Sequence, residues 1–373
     1  MRTGDCRPLD HLAAAADQFI PHGRVVDIQE YGNGNVHDTF LVTLKSEGEE
    51  HFLLQRMNTQ VFRQPELVMR NMRTFTEHAR KRLERTTLNA GRRWETPRVL
   101  LAEDGRDHWT DPCGSFWRAM SFIERAQSFD AVQNEEHARE VGTALCMFHS
   151  LISDLPPESL ADTLEGFHIA PSYLRHYDEV LAEHGACETP EVGYCRQFVI
   201  ERGTFARVLE EAKAQGRLCL RPIHGDPKVN NVMIDTVTGQ AVSIVDLDTI
   251  KPGLVHYDIG DCLRSCCNPL GEETERWEAV RFEPDLCRAI LQGYLSLARA
   301  FLTPNDYEHL FDAIRLIAFE LGLRFFTDYL EGNVYFKVRH AEHNLRRALV
   351  QFKLTESIEA QEKSIRTIIQ DLR

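Results

Sequence analysis

Short apolar clusters separated by polar, glycine-bearing stretches make VVDIQEYGNGNVHDTFLVTLKSEGEEHFLLQRMN, Val25 to Asn58, look β-rich. FLVTL and HFLLQR read as strands, and the polar, glycine-bearing SEGEE between them reads as the turn of a hairpin. The pattern then changes. In PELVMRNMRTFTEHARKRLERTT, Leu67, Val68, Met72 and Phe75 recur at helical spacing, and Pro65 suits the first turn. TPRVLLAEDGRDHWTDPCGSFWRAMSFIE returns to short strands and turns. From about Ser128 helical periodicity takes over, beginning with the amphipathic NEEHAREVGTALCMFHSLIS. The exception lies within residues 218–250, where VMID and VSIVDLDTI read as strands around TVTGQ.

This pattern predicts an α+β chain of two lobes: a small β-rich lobe over 1–123 and a larger, mostly helical lobe over 124–373 with an embedded hairpin. The length of 373 residues agrees, being too long for one ordinary core and suited to two. No internal repeat or low-complexity segment is evident.

Charge and cysteine usage narrow the class. The 57 acidic residues outnumber the 43 basic ones, for a net charge of −14, which argues against nucleic acid as the partner. The balance suits a soluble protein that takes neutral or cationic small molecules. Residues 1–18 lack a signal-peptide hydrophobic region, and no apolar run approaches the roughly 18 residues of a membrane span. The 10 cysteines are scattered without a CxxC pair. Cys262, Cys266 and Cys267 cluster, but no second ligand cluster at zinc spacing follows. A reduced, cytoplasmic protein with free thiols is expected, with no obligate protein partner.

The chemistry concentrates in PIHGDPKVNNVMID, residues 222–235. His224, Asp226, Lys228 and Asn231 have the H-x-D-x-K-x-x-N spacing of a kinase catalytic loop. In that role Asp226 orients and accepts the acceptor's hydroxyl proton, Lys228 neutralises charge on the transferred phosphoryl group, and Asn231 supplies an oxygen to Mg²⁺. His224 is expected to brace the loop. In SIVDLDT, Asp246 ends an apolar strand in the place of the metal-binding Asp of a D-F-G segment, and Asp248 is a further carboxylate beside it. HGDPKVNNVMID followed by VSIVDLDT resembles the aminoglycoside phosphotransferase and choline kinase superfamily, over nearly the whole chain. The resemblance implies a protein-kinase-like bilobal fold using ATP and Mg²⁺.

Under that resemblance the first lobe binds the nucleotide. Gly32, Asn33, Gly34 and Asn35 form a G-x-G turn between strands whose backbone N–H groups can approach phosphates. It lacks the third glycine and the following helix of a dinucleotide fingerprint. WRAMSFIE resembles the segment joining the lobes, so the backbone of Ser121, Phe122 and Ile123 is expected to meet adenine, with Met120 behind it. The lysine that protein kinases place on the third strand is missing from FLLQRMN; Gln55 or Arg56 takes its position. Glu66 is the candidate partner on the following helix.

YGNGNVHDTF, LLQRMNTQVF and RFFTDYLEGNVYFKVRHAEHNLRRALVQF together resemble the N-acetylhexosamine 1-kinases. That implies transfer to the anomeric hydroxyl of N-acetylglucosamine or N-acetylgalactosamine. His37, Asp38, Asp226, Arg324 and Tyr335 are the implied substrate residues. Arg and Tyr combine donors with stacking surfaces suited to a neutral sugar, although Arg324 could instead pair with Glu320 or Asp328. After Asp258-Ile259-Gly260-Asp261 the chain has Ser265 where some relatives carry a larger aromatic, which alters a wall of the pocket. Two other readings stay open: a kinase of an aminoglycoside, choline-like amine or homoserine-type alcohol, and an inactive nucleotide-binding regulator suggested by the missing lysine.

Overall fold

The computed structural model describes residues 8–19, 24–32, 36–45, 51–85, 91–185 and 189–373. The chain divides into two compact units, 1–125 with 159–163, and 126–158 with 164–373.

The first unit is built on an antiparallel sheet. It contains α1 (Pro8–Asp17), β1 (Arg24–Glu30), β2 (Asp38–Lys45), β3 (His51–Arg56), α2 (Pro65–Arg85), β4 (Val99–Leu100), β5 (Trp109–Thr110) and β6 (Phe116–Ser121). The strand order is β1-β2-β3-β6-β4, with β5 also on β6. The expected hairpin is β2 paired with β3, and Phe40, Leu54 and Ala119 stand opposite one another across three strands. Alternation gives the sheet two chemically different faces. Phe52, Leu54, Trp117 and Ala119 point to one core with Ala15 and Ala16 of α1. Leu53, Gln55, Arg118 and Met120 therefore lie on the other. The predicted helix is α2, which buries Val68, Met69, Met72, Phe75 and Ala79. Its Asn71 amide exchanges two hydrogen bonds of 2.8 Å with the backbone of Ala161, which attaches 159–163 to this unit.

The second unit is mostly helical. Its elements are β7 (Ala126–Gln127), α3 (Glu135–Ile152), α4 (Ala170–His184), α5 (Pro190–Arg202), α6 (Val208–Ala214), β8 (Arg221–Ile223), β9 (Val232–Asp235), β10 (Ala241–Ile244), β11 (Lys251–Gly253), α7 (Val255–Cys266), α8 (Pro284–Ala298), α9 (Pro304–Glu308), α10 (Leu310–Leu330), α11 (His343–Ala360) and α12 (Glu362–Leu372). Asn134 caps α3 by accepting from the His137 N–H, as its side-chain type favours. α3 and α8 approach so closely that a Cβ on Gly142 would lie 1.9 Å from the Ile290 carbonyl oxygen, and one on Gly293 would lie 2.0 Å from that of Arg139. Only glycine fits at either crossing point. The embedded hairpin is β9 paired with β10, and β8 pairs with β11. α10 is apolar nearly all round and accordingly buried. Its polar exceptions include Glu320, Arg324 and Asp328, four residues apart and so on one face. Among the described residues no helix is long and apolar enough to cross a membrane.

Candidate active site

The loop that leaves β8 is held from below by one carboxylate. Asp258, on α7, is fully buried. Its Oδ2 accepts from the His224 N–H at 2.7 Å and bonds His149 Nε2 at 2.8 Å, and its Oδ1 accepts from the Gly225 N–H at 2.8 Å. Burial alone would raise its pKa, yet the bond from His149 and the N–H groups of the loop hold it below the usual carboxylate value. Gly225 has φ +89°, and a Cβ there would meet the Thr249 carbonyl oxygen at 2.7 Å. His224 braces the loop from within: Nδ1 accepts from the Asp226 N–H at 3.2 Å and Nε2 donates to the Val245 oxygen at 3.0 Å. The Thr249 hydroxyl closes the circuit by donating to the His224 oxygen at 2.7 Å. The loop and the segment after β10 are thus one hydrogen-bonded body.

Four predicted residues meet on this body. Lys228 Nζ donates to Asp226 Oδ2 at 2.5 Å. Burial would lower the Lys228 pKa, but Asp226 and Asp246 hold it above the usual lysine value. Asn231 Nδ2 donates to the Asp226 carbonyl oxygen at 2.8 Å, which leaves its Oδ1 without a bond among the described residues. Asp246 corrects a detail of the sequence reading. The strand stops at Ile244, and Asp246 sits beyond it in the left-handed region, φ 63°, at the head of a short 3₁₀ turn over Leu247–Thr249. Such a conformation costs a non-glycine residue about 1–2 kcal/mol. It is found where surrounding structure fixes the side chain for a purpose. The Asp246 carboxylate reaches solvent and accepts no hydrogen bond among the described residues. Crowding by the protein and the adjacent Asp248 raise its pKa, with Lys228 opposing. Asp248 itself is buried.

Arg324 lies in the same unit and does not make the ion pair that its neighbours on α10 suggested. Glu320 bonds His168 Nδ1 at 3.0 Å. Asp328 accepts from the Tyr335 and Phe336 N–H groups at 2.7 and 3.1 Å and from Asn344. The Arg324 guanidinium has no hydrogen bond or ion pair among the described residues. Four rings surround it instead, with centroids 5.2 Å (Phe167), 5.0 Å (Tyr173), 6.0 Å (Tyr335) and 5.4 Å (Phe336) away. Burial would lower its pKa; Tyr173, Tyr335, Glu320 and Asp226 together raise it. Burial likewise pushes the Tyr173 hydroxyl up to about 12. Two buried carboxylate oxygens nearby, Glu320 Oε2 and Asp261 Oδ2, also have no hydrogen-bond partner among the described residues. His168, with φ 64°, links this group to the loop through Nε2, which bonds the Gly225 oxygen at 2.7 Å. Phe167, His168, Tyr173 and Phe336 were not foreseen from the sequence. Ser265 is half-buried on α7, its hydroxyl donating to the Cys262 oxygen at 3.1 Å.

The remaining predicted residues lie in the first unit. Asn33, Gly34 and Asn35 fall outside the described residues; Gly32 has φ 75°. Gln55 and Arg56 are separated by the pleat. Arg56 bonds Asp38 twice, at 2.9 and 2.5 Å, and rests over Trp117. Gln55 faces the other side and accepts from Arg118 Nε at 2.9 Å. His37 Nδ1 accepts from the Asn58 N–H at 3.0 Å. Ser121 trades bonds of 2.9 Å with Arg98, through both its backbone N–H and its hydroxyl. Phe122 packs edge-on against Tyr31, and the buried Ile123 has no backbone hydrogen bond among the described residues. Glu66 is exposed and makes no ion pair among the described residues.

The fold and the family have known counterparts. A model of the phosphotransferase enzyme family matches residues 27–298. Among solved structures, a microcompartment-associated aminopropanol kinase is 16% identical with a TM-score of 0.63, covering 96% of this chain and 98% of its own. An aminoglycoside phosphotransferase from Alicyclobacillus acidocaldarius is 14% identical with a TM-score of 0.62, covering 99% and 98%. A choline kinase from Cryptosporidium parvum is 13% identical with a TM-score of 0.59, covering 97% of each chain. At such identities the likeness establishes the kinase-like fold, while the family match covers the catalytic loop and the Asp246 segment and ends before α10. The chain belongs to the phosphotransferase enzyme family.

Proposed function

We propose that this phosphotransferase moves the γ-phosphate of ATP to a hydroxyl of a small molecule, the anomeric hydroxyl of an N-acetylhexosamine. The observation that carries the acceptor reading is Arg324, a guanidinium without a hydrogen-bond or ion-pair partner among the described residues, inside a ring of aromatic side chains. A guanidinium of this kind suits a neutral carbonyl such as that of an N-acetyl group, and the tyrosine faces suit the apolar face of a sugar. The unpartnered oxygens of Glu320 and Asp261 suit hydroxyl donors. Asp226 orients and accepts the proton of the attacking hydroxyl, a contribution of about 10²–10⁴ in rate. Lys228 places its charge where the phosphoryl group passes. Asp246 and Asn231 fit Mg²⁺, since both offer hard oxygens that no other described residue engages. Bound there, Mg²⁺ would neutralise phosphate charge. Few protein ligands are needed, because this ion keeps several waters and takes phosphate oxygens.

A second reading has an observation of its own. The solved relatives include kinases named for aminopropanol and choline, and the carboxylates of Glu320, Asp261 and Asp226 could hold an amine. Against it, an ammonium about 6 Å from Arg324 would be repelled by on the order of 3 kcal/mol at an effective dielectric of about 20.

The test is ADP release from Mg-ATP with N-acetylglucosamine, N-acetylgalactosamine, glucose, galactose, kanamycin, choline and homoserine, with Asp226→Asn as control. Turnover on an N-acetylhexosamine giving an acid-labile phosphate is expected, and it should vanish in a folded Asp226→Asn. Turnover confined to the amines would overturn the sugar assignment.

A further inference from the structure

Arg118 is the largest fully buried side chain among the described residues, 1% exposed. It stands directly opposite Gln55 in the β3–β6 register. Its Nε donates to Gln55 Oε1 at 2.9 Å, and Gln55 Nε2 donates to Thr39 Oγ1 on β2 at 3.0 Å. The three side chains therefore form a rail across three neighbouring strands, on the sheet face away from the α1 core. The chemistry of the rail fixes its direction. An arginine can only donate, so the Gln55 amide must turn its oxygen to Arg118 and its nitrogen to Thr39. The nitrogen carries two N–H bonds and spends one on Thr39. The second N–H, and the hydroxyl proton of Thr39, have no acceptor among the described residues. Both side chains are half-exposed. A buried cation behind the amide also polarises it, making the outward N–H a better donor.

We infer that Arg118 is a positioning residue: it orients and polarises Gln55 so that a neutral amide N–H, with the Thr39 hydroxyl beside it, contacts a phosphate of the nucleotide. This rests on the nucleotide reading above. The missing strand lysine is then replaced by two residues, one carrying the charge behind the sheet and the other relaying it. The exchange also explains why lysine is absent, because an ammonium at position 55 would point at a buried guanidinium.

That last consequence is the test. Affinities for ATP, ADP and adenosine are measured by calorimetry on the full chain, with thermal melting as a check of folding. Gln55→Glu keeps the shape and keeps a partner for Arg118, but removes the N–H and adds a negative charge. It should weaken ATP and ADP by about 10- to 100-fold, as expected for a lost bond to a charged group, while adenosine is unchanged. Gln55→Lys should weaken ATP in the wild-type background. Paired with Arg118→Met it should bind ATP more tightly than Arg118→Met alone, because the strand lysine then has room for its charge. A purely structural role for Arg118 would produce no such reversal of sign. If the wild-type chain bound ATP and these variants bound it equally well, this inference alone would fall. If the wild-type chain bound no ATP, the nucleotide reading would fall with it.

Discussion

Asp258→Asn is the most informative single change at the site. Asp258 uses both carboxylate oxygens, Oδ2 for the His224 N–H and His149, and Oδ1 for the Gly225 N–H. Asparagine keeps the volume but has one acceptor oxygen. One backbone N–H of the loop must then face an amide NH₂. A bond to a charged group is worth about 1.5–3 kcal/mol, and a buried donor left unsatisfied costs about 1–3 kcal/mol more. The sum, roughly 2.5–6 kcal/mol, brackets the usual cost of about 3–5 kcal/mol for breaking a buried charged pair. It is a large fraction of a typical stability of about 5–15 kcal/mol. Because Gly225 precedes Asp226, the lost bond also lets the Asp226 carboxylate drift; in the catalytic role proposed for it, a shift near 1 Å costs about 10²-fold in rate. Urea denaturation gives the first quantity, hydrogen exchange of the peptide over 222–232 locates it, and ADP release gives the second. The folded-state pKa of Asp258 is depressed, so its contribution is present above the unfolded value near 4 and is lost as pH falls through the lower folded value. The gap between wild type and Asp258→Asn should therefore narrow in acid. An unchanged urea midpoint at neutral pH, with unchanged loop exchange, would refute the account of Asp258 as the loop's anchor.

Three further outcomes are expected. Gly225→Ala forces a left-handed φ costing about 1–2 kcal/mol and drives a methyl into Thr249, so kcat should fall about tenfold or more; a wild-type kcat would show the loop to be slack. His168 has a pKa raised above the usual histidine value: burial opposes the shift, but Glu320 outweighs it. Its pairing therefore stabilises fully below about pH 6.5 and fades as pH rises through the higher folded value, so the urea-midpoint gap between wild type and His168→Asn should shrink as pH rises above about 6.5. A gap that widened would contradict the sign. Asp246→Ala should abolish the dependence of ATP affinity on Mg²⁺ in a calorimetric titration, and an unaltered magnesium dependence would remove Asp246 from the metal role.

The fold was legible where local pattern decides it. The β2–β3 and β9–β10 hairpins, α2 and α3 each carry their own period, and the short strands β4 to β6 fall where turns and apolar residues alternate. α1 escaped because its LAAAAD offers no contrast between faces; its signal was alanine's helix propensity, not periodicity. Asp246 was placed at the end of a strand because a left-handed residue two positions beyond it leaves no trace in hydrophobic pattern. Gln55 and Arg56 could not be told apart until the pleat was known, since a shift of one residue exchanges the two faces of a strand.

The site divides along the same line. His224, Asp226, Lys228, Asn231 and Asp246 were readable because they sit close in sequence, on one loop and one hairpin, at the spacing of a kinase catalytic loop. The parts that hold them are scattered. His149 comes from α3 and Asp258 from α7, His168 from the segment before α4 and Glu320 from α10. Any buried acceptor placed under the loop would serve, so no fixed spacing marks them. Glu320, Arg324 and Asp328 did leave a signal, three charges in register along the C-terminal half of a largely apolar helix, which reads as a stripe facing something polar. The reading of Arg324 as one half of an ion pair failed because both neighbouring acids had other work: Glu320 orients His168, and Asp328 pins the backbone of Tyr335 and Phe336. A charge whose obvious partners are already committed is better evidence for a ligand than the charge alone. The same reasoning separates Gln55, whose second N–H is unspent, from Arg56, whose guanidinium is already held by Asp38.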